Sequence, residues 1–387
     1  MDWPKTPVER LQAFRPSFCP WPECPEHRRR DGRFHFQLKG STAPRRGGAR
    51  SKRFLCKRCG RTFSERTFSM SYFLKRPELL VPVAAGLVAG SAHRQIARTV
   101  GCNPSTVTRL SARIGRHALL LMARALSELR GRLGESITFD HFETFEFAQD
   151  FPFGIATPVG ADSWFIYGAD PAPHARTGRR SAEQARSLRR RPRRPQRGGY
   201  TGSTARMLDS LLPLAKCGET LRLLSDDKPQ YRQAVHRHPA AARIRLVQCA
   251  NPARGPKGAP RLPEARERDR TMFPVDALHA LIRHSSAHQR RETIAFGRRL
   301  NALMERMFLL VVWRNFVKRR SERKPDPTTP AMRIGLTDSR WGWPQVFSRR
   351  LFPARETVPP MWRTLYRRDW TSPMLPSNTR HRLVYAE

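Results

Sequence analysis

The sequence predicts an α/β fold in which helices flank a mixed β-sheet and smaller modules precede it. Apolar and polar residues alternate through residues 137–142, as they do in a half-buried strand. Strand-like and helix-like patterns then follow one another up to residue 319, which favours a sheet covered by helices. Two cysteine pairs and a helical stretch come before this region and predict separate small modules.

The first module, residues 1–68, is predicted to bind zinc. It contains the pairs Cys19/Cys24 and Cys56/Cys59, and Gly60 follows the second pair. Thiolates are preferred zinc ligands, and two short loops can each provide two corners of a tetrahedron. The 31 residues between the pairs exceed the usual interval, so we expect the Gly- and Arg-rich residues 40–52 to form an insertion. Four reduced cysteines without metal are the alternative, and His27 is an alternative ligand.

Residues 77–133 are predicted to be helical and to contain a helix-turn-helix motif. A helix over 92–100 is followed by a turn at 101–103, and Pro104 suits the first position of the next helix. A further helix over 116–132 is expected to act as a connector. In a DNA-binding motif of this kind, the start of the second helix faces the DNA. The residues placed there are Ser105, Thr106, Thr108 and Arg109. An ordinary helical hairpin is the alternative.

The sheet domain is predicted to span residues 136–320. Strands are expected at 136–142, 153–157, 163–168, 220–225 and 242–248. Helices are expected at 203–212, 229–237, 275–289 and 292–319.

Two further segments are predicted to lack regular structure. Residues 175–200 are rich in arginine and are expected to form a loop, which either grips a phosphate backbone or is simply solvated. Residues 321–387 contain many prolines and are predicted to be an irregular C-terminal tail.

The charge of the chain predicts a nucleic-acid partner. Lys and Arg number 73 and Asp and Glu 32, which gives a formal net charge of +41. Such an excess favours binding to a phosphate backbone, with an anionic membrane surface or a ribosome-like scaffold as alternatives. No apolar stretch reaches the roughly 20 residues of a membrane span, and no signal-peptide core is present. We therefore expect a cytoplasmic, nucleoid-associated protein without membrane contact.

Two aspartates stand out at predicted strand ends. Asp140 lies towards the end of the first predicted strand, and Asp226 ends the fourth. If these strands are neighbours, the two carboxylates repel each other unless a divalent cation lies between them. The alternative is that each is a surface or capping residue. Asp227 is expected to point to the opposite side of its strand.

With these motifs in order, the chain resembles bacterial insertion-sequence transposases of the DDE class. Members carry an N-terminal zinc ribbon and a helix-turn-helix ahead of a ribonuclease-H-like catalytic domain. The resemblance covers roughly residues 15 to 345. It rests on the segments Cys56–Ser64, Ile96–Val107, Ile137–Phe145, Ser225–Tyr231, Arg291–Phe296, Trp313–Phe316 and Thr329–Met332, together with Gly335 and Leu336.

The resemblance implies a catalytic site with two Mg²⁺ ions, held by Asp140, Asp226 and a third acid from a later helix. Glu292, at the start of the predicted helix 292–319, fits this role best, and Asp276 is the rival. His141, Glu143 and Glu146 have no assigned role and are expected at the surface.

The implied function is metal-dependent cleavage and joining of double-stranded DNA at the ends of the element. A homo-oligomer is expected by analogy with the family. A DNA-binding repressor or a decayed remnant without catalytic activity is the alternative function.

Overall fold

The computed structural model describes residues 14–43, 50–175, 180–189, 198–252, 255–256, 258–290, 293–322, 325–372 and 375. These residues belong to two compact units. The first comprises the chain up to Pro82 together with Trp341–Val358, and the second comprises Val83–Arg340 together with the chain from Pro359 to Arg380. Within the described ranges, no helix has both the length and the apolar character needed to cross a bilayer.

The first unit contains a small antiparallel sheet with an aromatic core. A short helix, α1 (Pro25–Arg28), precedes strands β1 (Phe36–Thr42), β2 (Ser51–Cys56) and β3 (Thr62–Ser64), which pair in that order. Its core is a cluster of phenylalanines and cysteines: Cys19, Cys24, Phe34, Phe54, Cys56 and Phe63.

The predicted helical region forms α2 (Leu80–Val88), α3 (His93–Thr99) and α4 (Pro104–Glu128). Gly101 adopts a φ of +61° in the turn between α3 and α4, and the Asn103 side chain caps α4 by accepting from the Ser105 amide. The separate connector helix expected at 116–132 was wrong, because α4 runs unbroken for 25 residues. Gly115 does not interrupt it; a Cβ there would lie 2.4 Å from the Glu305 carbonyl oxygen, so glycine allows close helix packing.

The second unit contains the predicted mixed sheet. Its strands are β4 (Ile137–Phe145), β5 (Pro152–Gly160), β6 (Asp170–Pro173), β7 (Leu221–Asp226) and β8 (Ile244–Cys249), in the order β6-β5-β4-β7-β8. β4, β5 and β6 pair antiparallel, whereas β4 pairs with β7, and β7 with β8, in parallel. The strand predicted at 163–168 was wrong. A turn at 161–163 and a φ of +62° at Trp164 interrupt the extended backbone, and β6 forms later.

Helices cover this sheet and partly replace the predicted basic loop. They are α5 (Ala182–Arg189), α6 (Gly199–Leu211), α7 (Pro229–His236), α8 (Pro263–Thr271), α9 (Phe273–Ser285) and α10 (Leu300–Val312). α5 lies within the segment predicted to be a loop, whereas residues 176–179 and the arginines from Arg190 to Arg197 lie outside the described residues. The sequence did not predict α8.

The helix predicted over 292–319 begins later than expected. α10 starts at Leu300, whose amide donates to the buried Glu146 carboxylate at 3.0 Å, and residues 293–299 form turns and extended backbone. The long-range cap from Glu146 explains the delayed start, since the first amides of a helix lack partners within it. α10 continues into a π-helical turn, Trp313–Val317.

In its described part, the predicted irregular tail contains three short α-helices. These are α11 (Pro330–Arg333), α12 (Trp343–Val346) and α13 (Pro360–Arg367). Proline lies at the first or second position of each, where its missing N–H costs nothing. In α13, the buried Trp362 donates to the Ala169 carbonyl at 3.0 Å, so this part of the tail packs within the second unit. Residues 376–387 lie outside the described part of the chain.

Candidate functional site

Four cysteines form a preorganised ligand cluster in the first unit. The Sγ atoms of Cys19, Cys24, Cys56 and Cys59 all lie within 4.8 Å of one another. Cys56 ends β2, Cys59 follows it in the turn before β3, and Cys24 directly precedes α1. Local turns therefore place each sulfur, and the cluster could hold a structural metal ion such as zinc.

The environment of these thiols couples metal binding to the loss of protons. Burial raises the pKa of the Cys24 thiol to about 11 and also raises that of Cys19, so without a cation both stay protonated at neutral pH. A bound cation stabilises the thiolates that burial disfavours. His27, the alternative ligand, is not part of the cluster; its Nδ1 contacts the Cys19 carbonyl oxygen at 2.7 Å and supports that loop.

Asp140 and Asp226 are neighbours in the sheet of the second unit. The parallel register of β4 and β7 pairs Phe139 with Ser225, and the two aspartates are the next residues of their strands. β7 ends at Asp226, but Asp140 lies in the middle of β4, because that strand continues to Phe145. Burial, together with the negative charge of Asp140, raises the pKa of the Asp226 carboxyl. The neighbouring Asp227 is exposed.

Hydrogen bonds fix one oxygen of Asp140. Its Oδ1 accepts from the His141 amide at 2.7 Å and from the Tyr231 hydroxyl at 2.9 Å. That hydroxyl also contacts His141 Nδ1 at 2.9 Å, and the two rings stack at 14°. The expectation that His141 lies at the surface was wrong: it is buried against Phe139 and Tyr231.

The two glutamates expected at the surface differ from each other. The Glu143 side chain is 49% exposed, as predicted. The Glu146 side chain is buried, because it accepts from the Leu300 amide and from Ser372 Oγ at 2.6 Å. Glu146 thus has a structural role in holding the start of α10.

A histidine that the sequence did not single out lies on the other side of Asp140. His279 of α9 places its Nδ1 3.8 Å from Asp140 Oδ2 and its Nε2 2.8 Å from Thr157 Oγ1. Burial lowers the pKa of His279, which favours the neutral ring. The sequence prediction considered only acidic residues at this site. His279 lies three residues after Asp276, which places the two side chains on the same face of a helix and could have indicated it.

Among the described residues, no third carboxylate joins Asp140 and Asp226 with all ligand atoms within 4.8 Å of one another. Asp276 faces Arg268, which donates to both of its oxygens. Glu292 lies outside the described residues. Across the described ranges, the cysteines are the one group of three or more potential metal ligands whose donor atoms lie within 4.8 Å of one another, so Asp140, Asp226 and Asp276 do not form such a group.

The residues predicted to contact DNA lie at the start of α4. Ser105, Thr108 and Arg109 are exposed and Thr106 is partly exposed, while Val107 and Leu110 face the interior. Thr108 Oγ1 lies 3.1 Å from His93 Nδ1, and Arg109 donates to Ser105 Oγ at 3.3 Å. The polar face of α4 is therefore available to a partner.

A groove with lining of mixed charge lies next to β7, the strand that ends at Asp226. Its volume is about 1190 Å³, and it lies between α8 and strands β7 and β8. Its lining includes four arginines and three acids: Arg222, Arg266, Arg268, Arg270, Asp162, Glu264 and Glu267. The Arg268 guanidinium donates to Asp276 and is within electrostatic range of both Asp140 and Asp226.

No protein-family model matches this chain, and no curated protein matches it. The residues of the sites themselves are therefore the basis for proposing a function.

Proposed function

We propose that this protein is a DNA transposase that binds the terminal repeats of its own insertion sequence and catalyses metal-dependent strand cleavage and strand transfer. The observation that carries the proposal is the placement of Asp140 and Asp226 on adjacent parallel strands in a chain of net charge +41. The sheet sets its first and fourth strands side by side, which is where the ribonuclease-H-like resemblance requires these two acids to meet.

The residues present fit a hard divalent cation. Asp226 Oδ1 is buried and accepts no hydrogen bond among the described groups, and both hydrogen-bond donors to the Asp140 carboxylate reach its Oδ1. Carboxylate oxygens with free lone pairs are the ligands that Mg²⁺ prefers. Bound Mg²⁺ would activate a water or a DNA 3′-hydroxyl and stabilise the leaving oxygen. Asp140 and Asp226 would hold the ions, and the Tyr231 hydroxyl orients Asp140.

The DNA-binding role is supported by two surfaces of the second unit. The exposed start of α4 offers Ser105, Thr106, Thr108 and Arg109 for reading base edges. Arg222 and Arg266, in the lining of the groove, offer contacts to phosphates. A zinc ion in the cysteine cluster would stabilise the first unit. Assembly as a homo-oligomer on two DNA ends and association with the nucleoid belong to the same proposal.

The test is a nicking assay on plasmid DNA that carries the sequences flanking the gene. Wild type should cut at the element ends with Mg²⁺ and not with Ca²⁺ or EDTA. Asp140→Asn and Asp226→Asn should abolish cutting, to below about 1% of wild type, and keep end binding. Asp227→Asn is the matched control, because it removes the same charge from an exposed neighbour; it should cut normally. Equal cutting by all four proteins would refute the proposal.

One observation favours a second function. Because Asp276 is engaged by Arg268 and the described residues place no third carboxylate beside the pair, the chain could be a DNA-binding repressor or a remnant without catalysis. Binding to the element ends without metal-dependent cutting, unchanged in Asp140→Asn, would establish that function.

A further inference from the structure

We propose that His279 supplies the third metal-binding group beside Asp140 and Asp226, through its Nδ1 atom. This inference rests on the metal site of the proposed function and deepens it. The resemblance leads to the expectation of a carboxylate from a later helix. In this chain α9 brings an imidazole to the pair, while its own carboxylate, Asp276, faces Arg268.

The hydrogen bonds of Thr157 determine which nitrogen of His279 carries the proton. Thr157 Oγ1 lies 2.9 Å from the Asp140 main-chain oxygen and 2.8 Å from His279 Nε2. A carbonyl oxygen only accepts, so it takes the single hydroxyl proton of Thr157. The hydroxyl oxygen must then accept from Nε2–H. The remaining nitrogen, Nδ1, keeps its lone pair.

That lone pair faces a carboxylate. Nδ1 lies 3.8 Å from Asp140 Oδ2, which is too long for a hydrogen bond and brings two acceptors together. Such a pair repels unless a cation lies between them. Two ligands that each bind one ion at about 2.1 Å are at most about 4.2 Å apart, so the observed separation fits a shared cation.

The other Asp140 oxygen is not available for this contact. Oδ1 already accepts from the His141 amide and the Tyr231 hydroxyl, which leaves Oδ2 to face His279. Asp226 Oδ1 is likewise buried and accepts no bond in the described part of the chain. The three ligand atoms do not all lie within 4.8 Å of one another. Asp140 and His279 therefore form the preformed part of the site. The Asp226 carboxylate moves towards the cation when the cation binds.

A nitrogen ligand has a chemical consequence. Imidazole suits first-row transition metals, whereas Mg²⁺ prefers an all-oxygen set. The wild-type site should accordingly favour Mn²⁺ over Mg²⁺, and His279→Asp should shift the preference back towards Mg²⁺.

Mn²⁺ titration with pulsed electron paramagnetic resonance tests the inference on the full-length protein. Zinc in the cysteine cluster is d¹⁰ and gives no signal. Wild type should show a nitrogen coupling to Mn²⁺ that changes on ¹⁵N-histidine labelling. His279→Ala should lose the coupling and bind Mn²⁺ at least about 10-fold more weakly, the size that even an outer-shell partner contributes. His284→Ala is the matched control, because His284 is exposed on the same helix; it should keep both.

The outcomes separate this inference from the proposed function. Mn²⁺ that binds to wild type and not to Asp140→Asn, but shows no histidine nitrogen, would overturn the role of His279 and keep the aspartate site. No Mn²⁺ binding outside the cysteine cluster would overturn both. If His279→Ala fails to fold, His279→Gln replaces it in the measurement of the nitrogen coupling to Mn²⁺. The isotope-labelled wild type reports the same coupling and needs no substitution.

Discussion

The cysteine cluster and the aspartate pair are both candidate metal sites, but they differ in how complete they are. The cysteines bring four sulfur atoms within 4.8 Å of one another, and three of these residues are buried. The aspartates bring two carboxylates from neighbouring strands, each with an oxygen that no described donor contacts, beside a groove of about 1190 Å³.

The difference is the one expected between a stabilising metal site and the catalytic site that we propose. A tetrahedral ion with four protein ligands has no position left for a reactant, whereas a catalytic ion must keep one open. The cysteine cluster fills every position with its own side chains. On a cation held by the aspartate pair, the proposed function would leave positions for oxygens of a substrate.

The largest effect is expected at the cysteine cluster. Cys24→Ser should reduce bound zinc from about one ion per chain to nearly none and unfold the first unit, because zinc binding of this kind is worth on the order of 10 kcal/mol. Metal analysis and thermal unfolding measure both quantities. Cys217→Ser is the control, since Cys217 is exposed and lies outside the cluster. Retention of zinc by Cys24→Ser would contradict the four-ligand site.

The next largest effect is expected at the aspartate pair. Without metal, the substitution there should raise the stability of the protein, whereas Cys24→Ser should lower it. Asp226→Asn removes a half-buried charge next to Asp140, so the metal-free protein should gain up to about 1 kcal/mol of stability. The stabilisation that Mn²⁺ gives to wild type should disappear. Melting curves with Mn²⁺ and with EDTA check both. A metal-free protein that is destabilised by this change would mean that the two carboxylates do not repel.

The contrast between the sites also explains what the sequence could predict. The four cysteines were found because short local loops set their spacing, and local geometry is encoded by nearby residues. The mixed sheet was predicted from residue alternation, although the sequence did not show that β4 would pair with β7. Asp140 and Asp226 were singled out as acids near strand ends, and their adjacency depended on that pairing.

The failures share a physical cause, which is that long-range contacts overrode local patterns. Glu146, far away in sequence, caps α10 and delays its start to Leu300. His279 reaches Asp140 from α9, and His141 is buried by stacking on Tyr231, a residue of α7. None of these contacts leaves a periodic signal in the sequence.

A smaller effect is expected from the residue that orients Asp140. Tyr231→Phe keeps the stacked ring and removes the hydroxyl that donates to Oδ1, so Mn²⁺ affinity should fall by about 10- to 100-fold. Calorimetric titration measures the change. Tyr200→Phe is the control, because the Tyr200 ring also contacts His141 but no hydrogen bond joins its hydroxyl to Asp140 among the described contacts. Equal affinity in both variants would show that Asp140 needs no support from its neighbours.

The smallest effect is expected in the groove between α8 and strands β7 and β8. Arg222→Ala and Arg266→Ala each remove one cation from its lining, so each should lower the slope of log affinity against log salt by about 0.9. Sequence preference should stay unchanged, because phosphate contacts carry no base information. Arg237→Ala, at the end of α7 and away from the groove lining, serves as the control. A slope unaltered in the double variant Arg222→Ala/Arg266→Ala would mean that DNA reaches the aspartates by another path.

Thr106→Ala and Arg109→Ala, at the start of α4, should relax sequence preference and leave the salt slope nearly unchanged. The reason is that base-edge contacts set specificity while adding little to the salt slope.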